Sequence, residues 1–262
     1  MIEEPYRWVE AVANRREYIE DQLRTGSPCV LLNYTDGLLL LTASRQTQKL
    51  FEIYDRIGFA ALGHPADIER MRLVAIDLAH IEGFNRAVTD VSLRRLVSYG
   101  MSPALKTAFE QVYSAPYIVK MLLAELADDA ENDHIVKLDY DGSFVRSEIE
   151  VKEPFHVIAG TTAVEKQMLD YLVEHNTNPR RGLDDALKLA LKTWAVGMEI
   201  TEHGAKEEGH ETQYGEVDAE KAVKELLKSR DVEAAVLDRA RPATAKFRRL
   251  DEKELRPALR DL

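Results

Sequence analysis

The chain has 262 residues, 45% of them hydrophobic, and 35 Lys and Arg against 46 Asp and Glu, a formal charge of -11. That length and apolar content suffice to bury one large core or two small ones, which excludes a disordered polymer. The acidic balance excludes nucleic acid and anionic membrane surfaces as expected partners, because both need a concentrated positive field. A single cysteine, Cys29, leaves no intrachain disulfide framework and fits a reducing, cytoplasmic setting. The acidic opening Met1-Ile2-Glu3-Glu4 predicts no secretory signal. The most apolar stretch, 29–42, is interrupted at 33–37, well short of the ~20 residues a membrane helix needs.

Pro5 opens a segment with apolar residues at Trp8, Val9, Val12, Ile19 and Leu23, which predicts an amphipathic helix over 5–24 closed at Thr25-Gly26. Apolar runs at 29–34 and 38–42 flank Asp36-Gly37 and predict a buried hairpin. The runs 50–54 and 57–62 around Asp55-Arg56 repeat the pattern, giving a second hairpin in the same sheet. Helical periods follow at 65–82 and 90–112; Thr89 or Asp90 would cap the second, and Pro103 inside it predicts a kink or break. Strand-like runs return at 117–126, 135–140 and 155–159, with Asp141-Gly142 as another hairpin turn, and helices are expected at 162–175 and 183–200. Residues 201–216 read as a mobile acidic excursion. A charged helix at 217–229, strands at 232–237 and 246–250 and a helix at 252–259 complete the chain. Hairpins alternating with paired helices predict antiparallel sheets stacked between helical layers, and fit a doubly wound parallel sheet less well.

Few motifs carry chemistry. His203 and His210 lie among glutamates in the acidic excursion, without the fixed geometry a zinc site needs, and the other histidines have no partner at metal-ligand spacing. Residues 58–63 lack the lysine and glycine spacing of a phosphate loop, and no Gly-x-Ser-x-Gly elbow is present. Gly160-Thr161-Thr162 resembles the cleavage point of a self-processing threonine hydrolase, but Thr162 to Glu165 has the spacing of a capping box. Cleavage after Gly26 would give Ser27 a free amine to activate its hydroxyl; the competing reading is a simple turn before Pro28.

Glu17-Tyr18, Thr25-Gly26-Ser27, Asp36-Gly37 and Lys49-Leu50-Phe51-Glu52-Ile53-Tyr54-Asp55, in this order, resemble the opening of a proteasome subunit. Residues 54–61, Ala115-Pro116-Tyr117, Leu123-Ala124-Glu125 and Tyr140-Asp141-Gly142-Ser143 resemble bacterial, actinobacterial-type 20S proteasome α subunits, over 15–200 and again over 232–262. The resemblance implies an α+β fold of the N-terminal-nucleophile hydrolase type, a four-layer αββα sandwich. It implies a single domain with a tail and helix at 1–25, an insertion with an extra helix at 201–229 and a C-terminal helix at 251–262.

In that family the catalytic β subunits use an N-terminal threonine, an acid after the second strand and a lysine. Lys49 stands where that lysine would be, but no carboxylate lies between Asp36 and Glu52, and Thr25 precedes Gly26 instead of following it. The resemblance therefore implies a non-catalytic α subunit with no cofactor and no metal. It assigns Lys49, Gly26 and Glu17 to a pocket between neighbouring subunits that receives the C-terminal carboxylate and tyrosine of an activator. It assigns Met1, Ile2, Glu3 and Glu4 to the pore gate, here short, acidic and without a Tyr-Asp-Arg turn. Spacing alone makes Lys49 a plain lysine between a loop and a strand. The implied partners are further copies in a homo-heptamer, proteasome β subunits, a ring-shaped AAA+ ATPase and unfolded protein substrate. Two alternatives stand beside this one: a self-processing hydrolase with Ser27 as nucleophile and Lys49 assisting, and a stand-alone proteasome-related ring.

Overall fold

A computed structural model describes residues 5–45, 47–111, 113–147, 155–178, 181–204 and 213–260. The expected gate residues Met1, Ile2, Glu3 and Glu4, and His210, lie outside this range. Among the described residues no helix is long and apolar enough to cross a membrane.

The Asp36-Gly37 hairpin joins β1 (Cys29–Tyr34) to β2 (Gly37–Ser44), with Tyr34 opposite Gly37. Both strands are buried nearly throughout, which is why they read as continuous apolar runs instead of alternating ones. β2 also pairs along its full length with β9 (Asp231–Asp238), and β1 with β8 (Phe155–Ile158). With β10 (Phe247–Arg249) on β9, the first antiparallel sheet has the order β10-β9-β2-β1-β8. Because β2 has no free edge, the second hairpin, β3 (Leu50–Tyr54) and β4 (Ile57–Gly63), cannot join this sheet as the sequence pattern suggested. The Glu233 carboxylate of β9 accepts from the Lys49 and Leu50 amides at 2.8 and 3.0 Å, pinning the start of β3 beneath the first sheet. The hairpin instead begins a second sheet, β3-β4-β5-β6-β7, with β5 (Val119–Glu125), β6 (His134–Leu138) and β7 (Phe144–Ser147). The four-residue edge strand β7 was too short to register as a run of its own in the sequence.

Helices cover both outer faces. α1 (Pro5–Leu23) sends Ile19 and Leu23 into the layer between the sheets. α2 (Pro65–Asn85), α3 (Leu93–Arg95) and α4 (Ser102–Glu110) enclose a core on the second sheet. α5 (Thr162–His175), α6 (Leu183–Gly204), α7 (Ala219–Leu226) and α8 (Glu252–Arg260) do the same for the first. The result is the four-layer αββα sandwich that the element order and the resemblance implied.

Local differences have local causes. The helix expected over 90–112 starts at Leu93, after a 3-10 turn, with Ser92 at its N-cap position and the Glu125 carboxylate accepting from the Leu93 amide at 2.9 Å. A π-helical stretch, Leu96–Met101, links α3 to α4, and Pro103 falls in the first turn of α4. The wider π turn accommodates its missing amide, so the chain stays helical through it. Residues 201–204, expected in the mobile excursion, belong to α6, where the Thr201 hydroxyl donates to the Gly197 carbonyl at 2.7 Å. α7 is shorter than the expected 217–229 because Asp218 caps it, accepting from the Lys221 amide at 3.1 Å.

The capping-box expectation is also corrected. Thr161, not Thr162, caps α5 by accepting from the Val164 amide at 3.2 Å. Glu165 turns inward, where it accepts from the Ala159 amide at 3.2 Å and from Lys120 at 3.3 Å, and pairs with Lys137. Lys120 and Lys137 project from β5 and β6 on the same face as Leu122 and Ile135, which line the inter-sheet core. This ion cluster closes the sandwich where the edge strand β8 overlies β5 and β6.

His156 faces the same layer. Burial, reinforced by the Lys137 ammonium, pushes its imidazole from 6.5 down to about 4. Between those values the unfolded chain takes up a proton that the native chain refuses, so stability falls as pH drops from 7 toward 4. The shift bounds this loss at about 3 kcal/mol. Urea midpoints at pH 7.5 and 5 should separate more widely for the native chain than for His156→Phe; equal separations would contradict it.

Candidate functional site

Lys49 lies one residue before β3 and is 8% exposed. It opens onto a cavity of about 670 Å³ where the ends of several elements converge. Thr25 and Ser27 come from the turn after α1, Ser44, Arg45 and Thr47 from the β2-β3 connection, and Gly63 and Pro65 from the β4-α2 junction. Met198, Thr201 and Glu202 come from the end of α6, and Arg230 precedes β9.

The turn after α1 is set by close packing. The Gly26 amide donates to the Leu23 carbonyl at 2.9 Å. A Cβ at Gly26 would lie 2.8 Å from a Leu62 side-chain carbon and 3.0 Å from the Leu23 oxygen, so glycine is required by space. Gly160, after β8, lies so close that a Cβ there would come within 2.4 Å of the Leu23 and Arg24 carbonyls. The end of α1 is thus clamped between Leu62 and the turn that leads into α5.

The Lys49 ammonium donates to the Ser27 carbonyl at 3.3 Å, and among the described residues it has no carboxylate partner within ion-pair distance. Burial lowers the basicity of this amine, against the opposing pull of Cys29 and Glu233. Burial pushes the Cys29 thiol up to about 11, and its sulfur donates to the Ala61 carbonyl at 3.5 Å, so it stays a neutral, packed group. Burial also raises Glu233, whose oxygens are occupied by the Lys49 and Leu50 amides.

This arrangement does not assemble a nucleophile. The Ser27 hydroxyl donates to the Ala43 carbonyl at 2.6 Å and accepts from the Trp194 indole N–H at 3.0 Å. The Ser27 nitrogen is a peptide amide to Gly26 in the full sequence, and only cleavage there would make it a free amine. Lys49 meets the backbone of Ser27, not its hydroxyl. What the site offers is a fixed cation beside backbone and hydroxyl groups, suited to holding a carboxylate.

Of the expected pocket residues, Lys49 and the Gly26 turn meet at this cavity. Glu17 does not line it: it is exposed on α1 and is not brought to Lys49 within this chain. Arg45, Glu202, Arg230, Trp194 and Glu233 were not singled out from the sequence. Arg45 lies four residues before Lys49 in the same connection, whereas the other four reach the site from segments distant along the chain, and no spacing rule links them. Among the described residues no three His, Cys, Asp or Glu side chains group where they could hold a metal ion. His203 sits in the last turn of α6 beside Glu199.

A family model described as proteasome subunit matches residues 29–207. Proteasome subunit alpha of Streptomyces coelicolor is 33% identical over 243 residues, 92% of this chain and 83% of its own length. The proteins of the same name from Actinosynnema mirum and Jonesia denitrificans are 31% and 29% identical, covering 96% and 95% of this chain and 85% and 93% of theirs. With the αββα sandwich and the lone lysine, these similarities place the chain in the proteasome subunit family, among its non-catalytic α subunits.

Proposed function

We propose that this chain forms a homo-heptameric outer ring of a 20S proteasome core in the cytoplasm, where it templates the β ring, gates substrate entry and docks a ring-shaped AAA+ ATPase. Proteolysis of the unfolded protein that passes the pore belongs to the β subunits. The observation that carries the docking reading is Lys49: a nearly buried ammonium at the mouth of a cavity, with only a backbone carbonyl as its partner among the described residues. A buried cation without a counter-ion is costly, so a site that keeps one is suited to an anion arriving from outside. The terminal carboxylate of an activator tail has that chemistry, and the turn at Gly26 adds backbone groups to it. Glu17 would complete the pocket from a neighbouring copy, and Met1 to Glu4 would form the gate.

Lys49→Ala in the assembled particle should weaken binding of an activator-tail peptide by about tenfold or more, the worth of a charge-assisted contact. Fluorescence anisotropy of a labelled tail peptide measures it, and unchanged affinity would remove Lys49 from the docking site. Intact mass tests the rest of the assignment. A chain that began at Ser27 and hydrolysed peptides by itself would make it a self-processing hydrolase.

A further inference from the structure

The Lys49 cavity holds more positive charge than a single tail carboxylate can use. Arg45, Lys49 and Arg230 line it, and Glu202 is the one carboxylate among its described lining residues. Glu202 is already committed, since it accepts from Arg230 Nη2 at 2.5 Å. Arg45 is exposed and has no ion-pair partner among the described residues, and neither has Lys49. Among the described residues two cations are thus left over around one cavity of a chain whose overall charge is -11. A concentration of one sign against the global charge marks a place where the opposite sign is received.

Arg230 is also held before any ligand arrives. Its side chain is 10% exposed, and besides Glu202 its Nη1 donates to the Leu226 carbonyl and the Ser229 hydroxyl at 3.4 Å each. The guanidinium carries more N–H groups than these contacts use, and a fork already fixed loses little freedom on binding. Lys49 and Arg45 come from the two ends of the β2-β3 connection, and Arg230 reaches the cavity from the other side of the chain, just before β9.

We propose that the cavity is a two-point anion site, selective for tails that carry an acidic side chain close to their C-terminus. Lys49 takes the terminal carboxylate, and Arg45 with Arg230 takes the acidic side chain. This inference rests on the tail-docking reading of Lys49 and adds a specificity to it. Glu202 tunes that specificity: it orients Arg230 and repels any ligand carboxylate that comes too near.

The test uses the full chain in its native assembly and pairs of short synthetic peptides with free C-termini. The members of each pair differ only by Glu or Gln at one position near the end. The native particle should bind the better Glu peptide about tenfold more tightly than its Gln partner, with the gap shrinking as salt is raised. Arg45→Ala should reduce that ratio to about twofold or less, and Arg230→Gln should act in the same direction. Glu202→Gln should raise it by removing the competing charge. Arg45 is exposed, so its variant keeps the test open if Arg230→Gln fails to fold. Equal binding of Glu and Gln peptides at every position, with both weakened by Lys49→Ala, would overturn the second anion point and leave tail docking intact. Indifference of both peptides to Lys49→Ala would overturn the docking reading itself.

Discussion

Glu165→Ala is expected to destabilise the chain by about 3–5 kcal/mol, the range for breaking a buried ion pair from one side. The Glu165 and Lys120 side chains are each only 5% exposed, so truncating the acid leaves Lys120 with the Ala159 carbonyl as its remaining partner among the described residues, and leaves Lys137 facing it. Asp139 cannot substitute without cost, because burial already raises its acid above the usual range even with both lysines nearby. The Ala159 amide would lose its acceptor at the same time. Urea denaturation at fixed chain concentration measures the loss, since assembly makes stability concentration-dependent. The double variant Lys120→Met with Glu165→Leu should be less destabilised than Glu165→Ala, because it removes the more deeply buried of the two orphaned lysines together with their shared partner and leaves only the partly exposed Lys137. A double variant as unstable as the single one would mean that Glu165 acts through packing and not through charge.

The damage should also reach the Lys49 cavity. Ala159 and Gly160 follow β8, and Gly160 packs directly on the carbonyls that end α1. Loosening that contact frees the Gly26 turn, whose Ser27 carbonyl is the Lys49 partner. Stability in the inter-sheet layer and geometry at the cavity are therefore coupled through one backbone contact.

Most of the fold was legible because its signals are local. The Asp36-Gly37 turn, the apolar runs on either side and the helical periods of α2, α5 and α6 each lie within one short window. What failed to register was decided by distant residues. The sheet that receives β3 depends on β9 occupying the free edge of β2 and on Glu233 capturing the Lys49 amide, across a separation of 184 residues. Thr162 to Glu165 has the spacing of a capping box, but two lysines on other strands draw Glu165 inward, and Thr161 takes the cap. At the site, the sequence alone made Lys49 an ordinary lysine, and only the likeness to a family raised it. Arg45 lies only four residues before Lys49, but nothing in that spacing marks the two as one site, and Arg230 could not have been joined to them, because convergence of distant loop ends on one cavity leaves no periodic trace.

Trp194→Ala should be comparably severe, at about 3–5 kcal/mol, as a large side chain removed from a fully buried position. The indole does two things, and a second substitution separates them. Trp194→Phe keeps most of the volume but deletes the N–H that donates to the Ser27 hydroxyl at 3.0 Å, a loss of about 1 kcal/mol. That hydroxyl keeps its own bond to the Ala43 carbonyl, so the turn should stay folded while its outer support is lost. Because the Ser27 carbonyl is what the Lys49 ammonium donates to, the docking proposal predicts that Trp194→Phe also weakens tail-peptide binding, by about two- to fivefold, a weak hydrogen bond's worth. Melting curves and peptide anisotropy on the same preparation read the two effects separately. If Trp194→Phe lost stability but bound the peptide as tightly as the native chain, Trp194 would be a core residue alone. If binding fell further than stability, Trp194 would be a positioning residue for Lys49, acting from α6 through one serine.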